Sequence, residues 1–303
     1  MKKTKKFLSL ILLIAMLTLS LIGCGSEKSI TMEDREGTKF TLPSKVEKII
    51  STAPSNTEVL VELGLSDKLV AIDKYSTDIE GIDKDLPTID FRNPDAETII
   101  SLEPDIIIAS GHNKTGNEDP FAAIKEAGIT VVYIPSSDSI EGVYKDISFI
   151  ADITGTEEKG EKIIDDMKKE ISKIADIGKT ITDKKKVYFE IGSSSSLFSF
   201  GKNTFLNEMI ELIGAENILG NEEGWVSPSE EIIIKDNPDV ILTNEPVDNI
   251  IDTIKNREGW GEINAVKNNN VYLIDKNASS RPSQNIIKAL KEMAKAIYPE
   301  KYE

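Results

Sequence analysis

The stretch NPDAETIISLEPDIII, residues 93–108, returns in altered form 134 positions later as SPSEEIIIKDNPDVIL, residues 227–242. The identical pairs are Pro94 and Pro228, Glu97 and Glu231, Ile99 and Ile233, Ile100 and Ile234, Pro104 and Pro238, Asp105 and Asp239, and Ile107 and Ile241. A Pro-Asp pair between an amphipathic stretch and an apolar run is typical of a helix that ends where a buried strand begins. One such unit in each half of the chain predicts two equivalent lobes.

The residues before each helix predict its first turn. Asn93 and Ser227 are good N-cap residues, and each is followed by a proline at the first helical position, where proline is favoured. Glu230, three residues after Ser227, completes a capping box. The repeated acids Glu97 and Glu231 then fall at the fourth helical position. A surface glutamate favoured by the helix dipole explains one copy, but its recurrence predicts a paired role, with one carboxylate on each lobe.

Short apolar, β-branched runs alternate with amphipathic stretches through the rest of the chain. This alternation predicts α/β lobes with mostly parallel sheets, because strands buried on both faces are nearly continuously apolar. The helices predicted at 56–63, 120–127 and 206–213 are each followed by a glycine. The predicted strands are Lys48–Ser51, Leu69–Ile72, Ile106–Ser110, Thr130–Ile134, Val187–Ile191, Val240–Thr243 and Val271–Ile274.

One long helix interrupts the alternation. Residues 156–177 carry apolar side chains at helical spacing, and about 22 residues at 1.5 Å each span roughly 33 Å. We therefore expect two Rossmann-like α/β lobes joined by one long rigid helix. The predicted segments are an N-terminal lobe (46–153), the linker helix (154–180) and a C-terminal lobe (184–303).

Loops at the carboxyl ends of parallel strands form the binding crevice of such lobes, and two lobes facing each other place a cleft between them. Phe91 and Trp225 lie at equivalent positions just ahead of the two copies of the repeat. We expect them to be walls of this cleft. Glu97 and Glu231 would present a divided anionic surface to a partner with two subunits.

The N-terminus has the pattern of a bacterial lipoprotein signal. The basic residues of MKKTKK precede an apolar run from Phe7 to Ile22, which is shorter than the roughly twenty residues of a membrane span. Cys24 is the only cysteine and follows Leu21-Ile22-Gly23. We expect a signal peptide at 1–23, lipidation of Cys24, a tether over 24–45 leading into a small strand or hairpin, and an extracytoplasmic protein held to the membrane only by its lipid.

The net charge of the chain limits the classes of partner that it can bind. The formal net charge is -16, and removal of residues 1–23, which hold four lysines and no acid, makes it -20. Such a surface repels phosphate backbones, so nucleic-acid binding is not expected. It suits a partner with a cationic docking surface.

Several motifs together resemble the metal-chelate substrate-binding proteins of ABC importers, the family that includes vitamin B12 and ferric-siderophore receptors. The resemblance covers nearly all of the chain after the signal segment. It rests on IISTAPSNTEVLVELGL, NPDAETIISLEPDIII, GKNTFLNEMIELIGAENI, NPDVIL and AVKNNNVYLID, followed by SSRPSQNIIKALKEMAKAIYPE. The resemblance implies two lobes on one rigid helix, a small closure, and delivery of the ligand to a permease dimer with its ATPases by a monomeric receptor.

By motif, the resemblance also implies roles for individual residues. Glu97 and Glu231 would pair with arginines of the permease. Tyr75, Phe91 and Trp225 would be the cleft aromatics, with Arg281 on a C-terminal loop. Beside these motif matches, we expect Arg92 and His112 to contact the ligand as well. The resemblance implies no resident cofactor, because the metal chelate is cargo. The loop that carries His112 and Asn113 departs from the family pattern, which leaves the ligand open.

His112 is the only histidine of the chain. It is either an ordinary surface residue or a cleft residue that would contact the ligand, as an axial ligand of a chelated iron or cobalt. One histidine and no second cysteine argue against a receptor for bare zinc or manganese, which need several nitrogen or sulfur ligands. We expect an iron chelate, either siderophore or haem, with a corrinoid as the alternative.

An enzyme is the distant alternative. The serine run 193–196 follows a predicted strand but lacks the second glycine of a nucleophile elbow. A hydrolase would need one of these serines to meet His112 and an acid, and we expect no catalysis.

Overall fold

The computed structural model describes residues 30–114, 118–194 and 196–302. The signal segment and Cys24 lie outside the described residues. Within those ranges, no helix combines the length and apolar character needed to cross a bilayer. The chain forms two α/β lobes joined by one long helix, so the predicted fold class is confirmed.

The N-terminal lobe begins with an antiparallel hairpin, β1 (Ile30–Glu33) and β2 (Lys39–Leu42), in the region predicted as a tether. The hairpin is fastened to the lobe because Arg35 donates to Asp146 at 2.7 Å, and the backbone N–H of Tyr133 donates to Asp34 at 3.0 Å. The remaining elements are β3 (Ile49–Ser51), α1 (Pro54–Glu62), β4 (Leu69–Asp73), β5 (Thr88–Ile89), α2 (Ala96–Ser101), β6 (Ile106–Ser110), α3 (Ala122–Glu126), β7 (Thr130–Ile134) and α4 (Ile140–Thr154).

The linker helix, α5, spans Glu157–Gly178, and each end lies one residue after the corresponding end of the apolar pattern at 156–177. The C-terminal lobe follows with β8 (Lys186–Glu190), β9 (Ser199–Phe200), α6 (Phe205–Ile213), β10 (Glu216–Asn217), β11 (Trp225–Val226), α7 (Glu230–Asp236), β12 (Val240–Thr243), α8 (Ile250–Lys255), α9 (Asn264–Lys267), β13 (Val271–Leu273), α10 (Lys276–Ser280) and α11 (Ile286–Ile297).

Both main sheets are parallel. The N-terminal sheet has the order β5-β4-β3-β6-β7 and the C-terminal sheet the order β10-β8-β12-β13. All seven predicted strands are present with ends that differ by at most one residue. The prediction missed β5, β10 and the antiparallel pair β9–β11, which are two residues long and lack enough apolar residues to show a pattern.

The repeated Pro-Asp has one structural role in both lobes. The Asp105 carboxylate accepts hydrogen bonds from the backbone N–H groups of Glu47 and Lys48, at 2.8 and 2.9 Å, at the entrance to β3. The Asp239 carboxylate accepts from the N–H of Lys186, at 3.0 Å, at the entrance to β8. Each aspartate therefore lies just before its own strand and binds the backbone at the start of the neighbouring central strand. This contact fixes the register of the two strands in both sheets.

The predicted starts of the repeated helices were wrong by two residues. The N-cap residues are Asp95 and Ser229, so Glu97 and Glu231 occupy the second helical position rather than the fourth. The Asp95 carboxylate accepts from the N–H of Glu97 at 3.1 Å and therefore displaces Asn93 as the cap. The predicted capping box at Ser227 does not form, because Ser229 is the N-cap and Glu230 is the first helical residue. Glu230 instead accepts a hydrogen bond from the indole of Trp260 at 3.2 Å.

The linker helix meets the C-terminal lobe where two glycines touch. A Cβ on Gly178 would lie 2.1 Å from the carbonyl oxygen of Leu212, and a Cβ on Gly214 would lie 2.6 Å from the carbonyl oxygen of Gly178. Only glycine permits this approach. A single apolar core cluster continues from the N-terminal sheet along α4 and α5 into the C-terminal sheet, so the two lobes are packed on a common backbone of helices.

Candidate functional site

The cleft lies where both sheets reverse their strand order. In the N-terminal lobe the reversal is between β3 and β6, and in the C-terminal lobe it is between β8 and β12. Ligands bind outside the carboxyl ends of strands at such points. The loops after these strands line two connected cavities of about 450 and 530 Å³, which share His112, Ser136, Ser280 and Pro282.

A stacked aromatic pair forms the C-terminal wall of this cleft. The Trp225 ring lies 6.0 Å from the Phe198 ring at an angle of 16°, and it meets the buried Phe200 edge-on at 6.2 Å. Trp225 nevertheless remains 52% exposed. The strand pair β9–β11 sets this geometry, since Trp225 is directly opposite Phe200 in its register. A half-exposed indole with one face packed leaves the other available for a flat ligand.

Tyr75 contributes to the cleft from the N-terminal lobe, whereas Phe91 and Arg92, which were also predicted to contact the ligand, line neither cavity. Tyr75 is 56% exposed and lines the smaller cavity, and its ring lies 6.0 Å from that of Phe91. The Asp73 carboxylate, buried at the end of β4, accepts from the backbone N–H of Tyr75 at 2.8 Å. Burial raises the pKa of Asp73 despite this bond. Arg92 is exposed and lies 5.5 Å from the Phe91 ring, so it covers that ring.

His112 is exposed in the loop after β6 and lines both cavities. The loop is held by Asn113, which is 1% exposed. Its side chain accepts from the hydroxyl of Thr52 at 2.9 Å and donates to the carbonyl of Phe91 at 3.2 Å. Asn113 therefore joins the His112 loop to the Phe91 loop.

Arg281 lines the smaller cavity, but its guanidinium faces the N-terminal lobe. It donates to Glu58 at 2.9 Å, to Asp78 at 2.8 Å and to the Tyr75 carbonyl at 2.9 Å. Burial alone would lower the pKa of Arg281, but the hydrogen bonds that it donates to Asp78 and Glu58 raise it. A ligand contact at Arg281 stays a prediction, and any such contact must use the donors that these three bonds leave free.

Glu97 and Glu231 are exposed in the first turns of α2 and α7. A hydrogen bond from the hydroxyl of Ser229 lowers the pKa of Glu231. Each lobe therefore presents one carboxylate on an equivalent helix, as the repeat predicted. Their role in docking stays a prediction.

Sequence reasoning missed much of the cleft lining. Phe198 and Asn244 both follow predicted strands, but neither lies in a motif that indicates ligand binding. The serine run before Phe198 drew attention to the serines rather than to the aromatic residue. The serines that line the larger of the two cleft cavities are Ser136, Ser137, Ser279 and Ser280. Asn244 donates to Ser279 and Ser280 at 2.9 and 3.2 Å, which joins the carboxyl end of β12 to α10.

A larger cavity, of about 640 Å³, lies between α4, α5 and α6 and holds none of the predicted ligand residues. It is an apolar cavity beside the linker helix and lies away from both strand-order reversals. The interlobe cleft is therefore the better candidate for the ligand-binding site. No group of three or more His, Cys, Asp or Glu side chains suited to a metal occurs in the described part of the chain.

The chain belongs to the periplasmic binding protein family, whose sequence profile matches residues 49–278. The resemblance drawn from the repeated motif is therefore confirmed. An uncharacterised ABC transporter substrate-binding lipoprotein of Bacillus subtilis, YvrC, is 34% identical over 278 residues, which covers 90% of this chain and 87% of that protein.

Two further relatives carry ligand names. A cobalamin-binding protein of Halobacterium salinarum is 26% identical over 89% of this chain and 74% of its own length. A crystal structure of a possible iron-binding periplasmic solute-binding protein from Staphylococcus epidermidis is 32% identical and superposes with a TM-score of 0.75, over 84% of this chain and all of that one.

Proposed function

We propose that this protein is the extracytoplasmic solute receptor of an ABC importer and that it captures a metal chelate in the interlobe cleft. The observation that carries this proposal is the half-exposed Trp225, stacked on Phe198, at the point where both sheets reverse their strand order. A metal already wrapped in a chelate needs aromatic surface and a few polar groups rather than a cluster of protein ligands. The matched relatives are solute-binding proteins, which supports binding rather than catalysis.

An iron chelate, either a siderophore or haem, is the proposed ligand. The similarity to a possible iron-binding protein of Staphylococcus epidermidis supports this choice. A corrinoid is the second candidate, because a cobalamin-binding protein is similar along most of the chain. His112 is exposed at the junction of the two cavities, where a metal at the centre of a flat chelate would be within its reach.

Delivery would occur at a permease dimer with its ATPases. Glu97 and Glu231 would be bound by basic sockets, one on each permease subunit, while lipid on Cys24 keeps the receptor near the membrane. A net charge of -16 favours approach to a cationic docking face.

The test is titration of a chain that begins at residue 25 with cyanocobalamin, haem, a ferric hydroxamate and a ferric catecholate, measured by calorimetry and tryptophan fluorescence. The chain has two tryptophans, and Trp260 is fully buried. A Trp225→Phe variant therefore keeps only the buried reporter and is the matched control. Sub-micromolar binding of one compound, with quenching that disappears in the control, would support the proposal and name the ligand. Absence of binding by all four would refute a metal-chelate receptor of these classes.

A further inference from the structure

A dense set of polar contacts crosses from the C-terminal segment 277–284 to the N-terminal lobe. Six hydrogen bonds make up this set. Asn277 donates to Asp78, and Arg281 donates to Glu58, to Asp78 and to the Tyr75 carbonyl. Ser283 and Gln284 both donate to Glu58. We name the group Glu58, Asp78, Asn277, Arg281 and Ser283 the interlobe clasp.

The centre of the clasp is a buried ion pair. The Arg281 side chain is 12% exposed and that of Glu58 is 6% exposed, with 2.9 Å between their nitrogen and oxygen atoms. The other oxygen of Glu58 accepts from the fully buried hydroxyl of Ser283. A charge in this environment is costly without its partner. Any movement that separated the lobes here would break this ion pair and leave each charge without its partner.

We propose that the interlobe clasp fixes the separation of the two lobes and holds the Tyr75 wall of the cleft in place. Arg281 is then a positioning residue, because it donates hydrogen bonds to the Tyr75 carbonyl and to Glu58. The neighbouring bond from Asn277 to Asp78, 2.7 Å long, adds a second tie beside the ion pair.

Among the described residues, a second polar contact between the lobes involves one carboxylate and one backbone N–H. The Glu208 carboxylate of α6 accepts from the backbone N–H of Ile140, at 2.8 Å, at the first turn of α4. Burial raises the pKa of Glu208. This contact uses one carboxylate at a helix start, whereas the clasp uses a buried arginine bound to two acids. The clasp is therefore the stronger restraint on rotation of one lobe against the other about the linker.

A fixed separation has a consequence for docking. Glu97 and Glu231 lie on different lobes, so their spacing changes whenever the lobes rotate. The clasp would keep this spacing matched to the two basic sockets of the permease. Association would then lose less conformational entropy. This consequence rests on the proposed function, whereas the restraint on the lobes does not.

Distance measurement between spin labels tests the inference directly. Cys24 is the only cysteine, so a chain that begins at residue 25 has none and accepts a label at each chosen site. Ser101 on α2 and Lys235 on α7 are exposed and lie on different lobes. The labelled pair is measured without ligand in the parent protein and in Arg281→Gln. Arg35→Gln is the matched control, since it removes an arginine–aspartate pair within the N-terminal lobe.

We expect Arg281→Gln to broaden or displace the distance distribution and Arg35→Gln to leave it unchanged, even where both lower the melting temperature. Glu58→Gln is a milder change and should shift the distance distribution less. It replaces Arg281→Gln in the experiment if that variant does not fold. If a ligand is known, its Kd should rise roughly tenfold when only about a tenth of the molecules keep the binding geometry. A distribution in Glu58→Gln and Arg281→Gln that is identical to that of the parent protein would overturn the clasp, whether or not any ligand has been found.

Discussion

Replacement of Trp225 by alanine tests the central feature of the proposed site, and its effect follows from exposed area. A fully buried tryptophan removes on the order of 200 Å² from water. Trp225 is 52% exposed, so about 100 Å² is available to a ligand, worth about 2.5 kcal/mol at 25 cal/mol per Å². This is an upper limit because a flat ligand covers one face of the indole. We expect Kd to rise between about 5-fold and 70-fold.

Isothermal calorimetry is the assay, because the substitution removes the fluorescent reporter. Trp225→Phe keeps an aromatic face and should lose less affinity. Leu273→Ala is the negative control, since Leu273 is 55% exposed but does not line either cleft cavity. The melting temperature should change little, because half of the indole already faces solvent. If Trp225→Ala and Leu273→Ala bind the ligand with the same Kd as the parent protein, Trp225 does not belong to the site.

Three further predictions concern docking, packing and pH. Reversal of charge in the double variant Glu97→Lys, Glu231→Lys should abolish uptake by cells and leave Kd for the ligand unchanged, and a raised Kd would place these residues in the cleft instead. Gly178→Ala should lower the free energy of unfolding by about 1–3 kcal/mol, because its Cβ would lie 2.1 Å from a carbonyl oxygen of the neighbouring helix. Gly261→Ala, which meets nothing within 4 Å, is its control in urea unfolding. Burial alone would raise the pKa of Asp78, but hydrogen bonds from the clasp hold it below 3.8. Its contribution to stability is therefore present above pH 3.8 and is lost as the pH falls through the lowered value, and Asp78→Asn should remove that part of the pH dependence of the melting temperature.

Most of the fold could be predicted because its signals are local. Buried parallel strands are continuous apolar runs, and Ile106–Ser110, Thr130–Ile134 and Val240–Thr243 have the bounds that the sequence predicts. The linker helix shows its apolar face over 22 residues. The repeat was visible because the Pro-Asp unit has the same role in both lobes. The helix starts were less accurate, since Asp95 and Asn93 are equally good caps by type and only the folded backbone selects between them.

The sequence by itself determined the two-lobed α/β architecture, the joining helix and the paired acids, because each is expressed as a periodicity or a repeat along the chain. Only the tertiary structure decided what surrounds each side chain. Phe198 stacks on Trp225 because the short strands β9 and β11 pair. Arg281 binds Glu58 of the other lobe, 223 positions away along the chain. Contacts at such separations depend on how the lobes are placed, and a single sequence has no local pattern that records them.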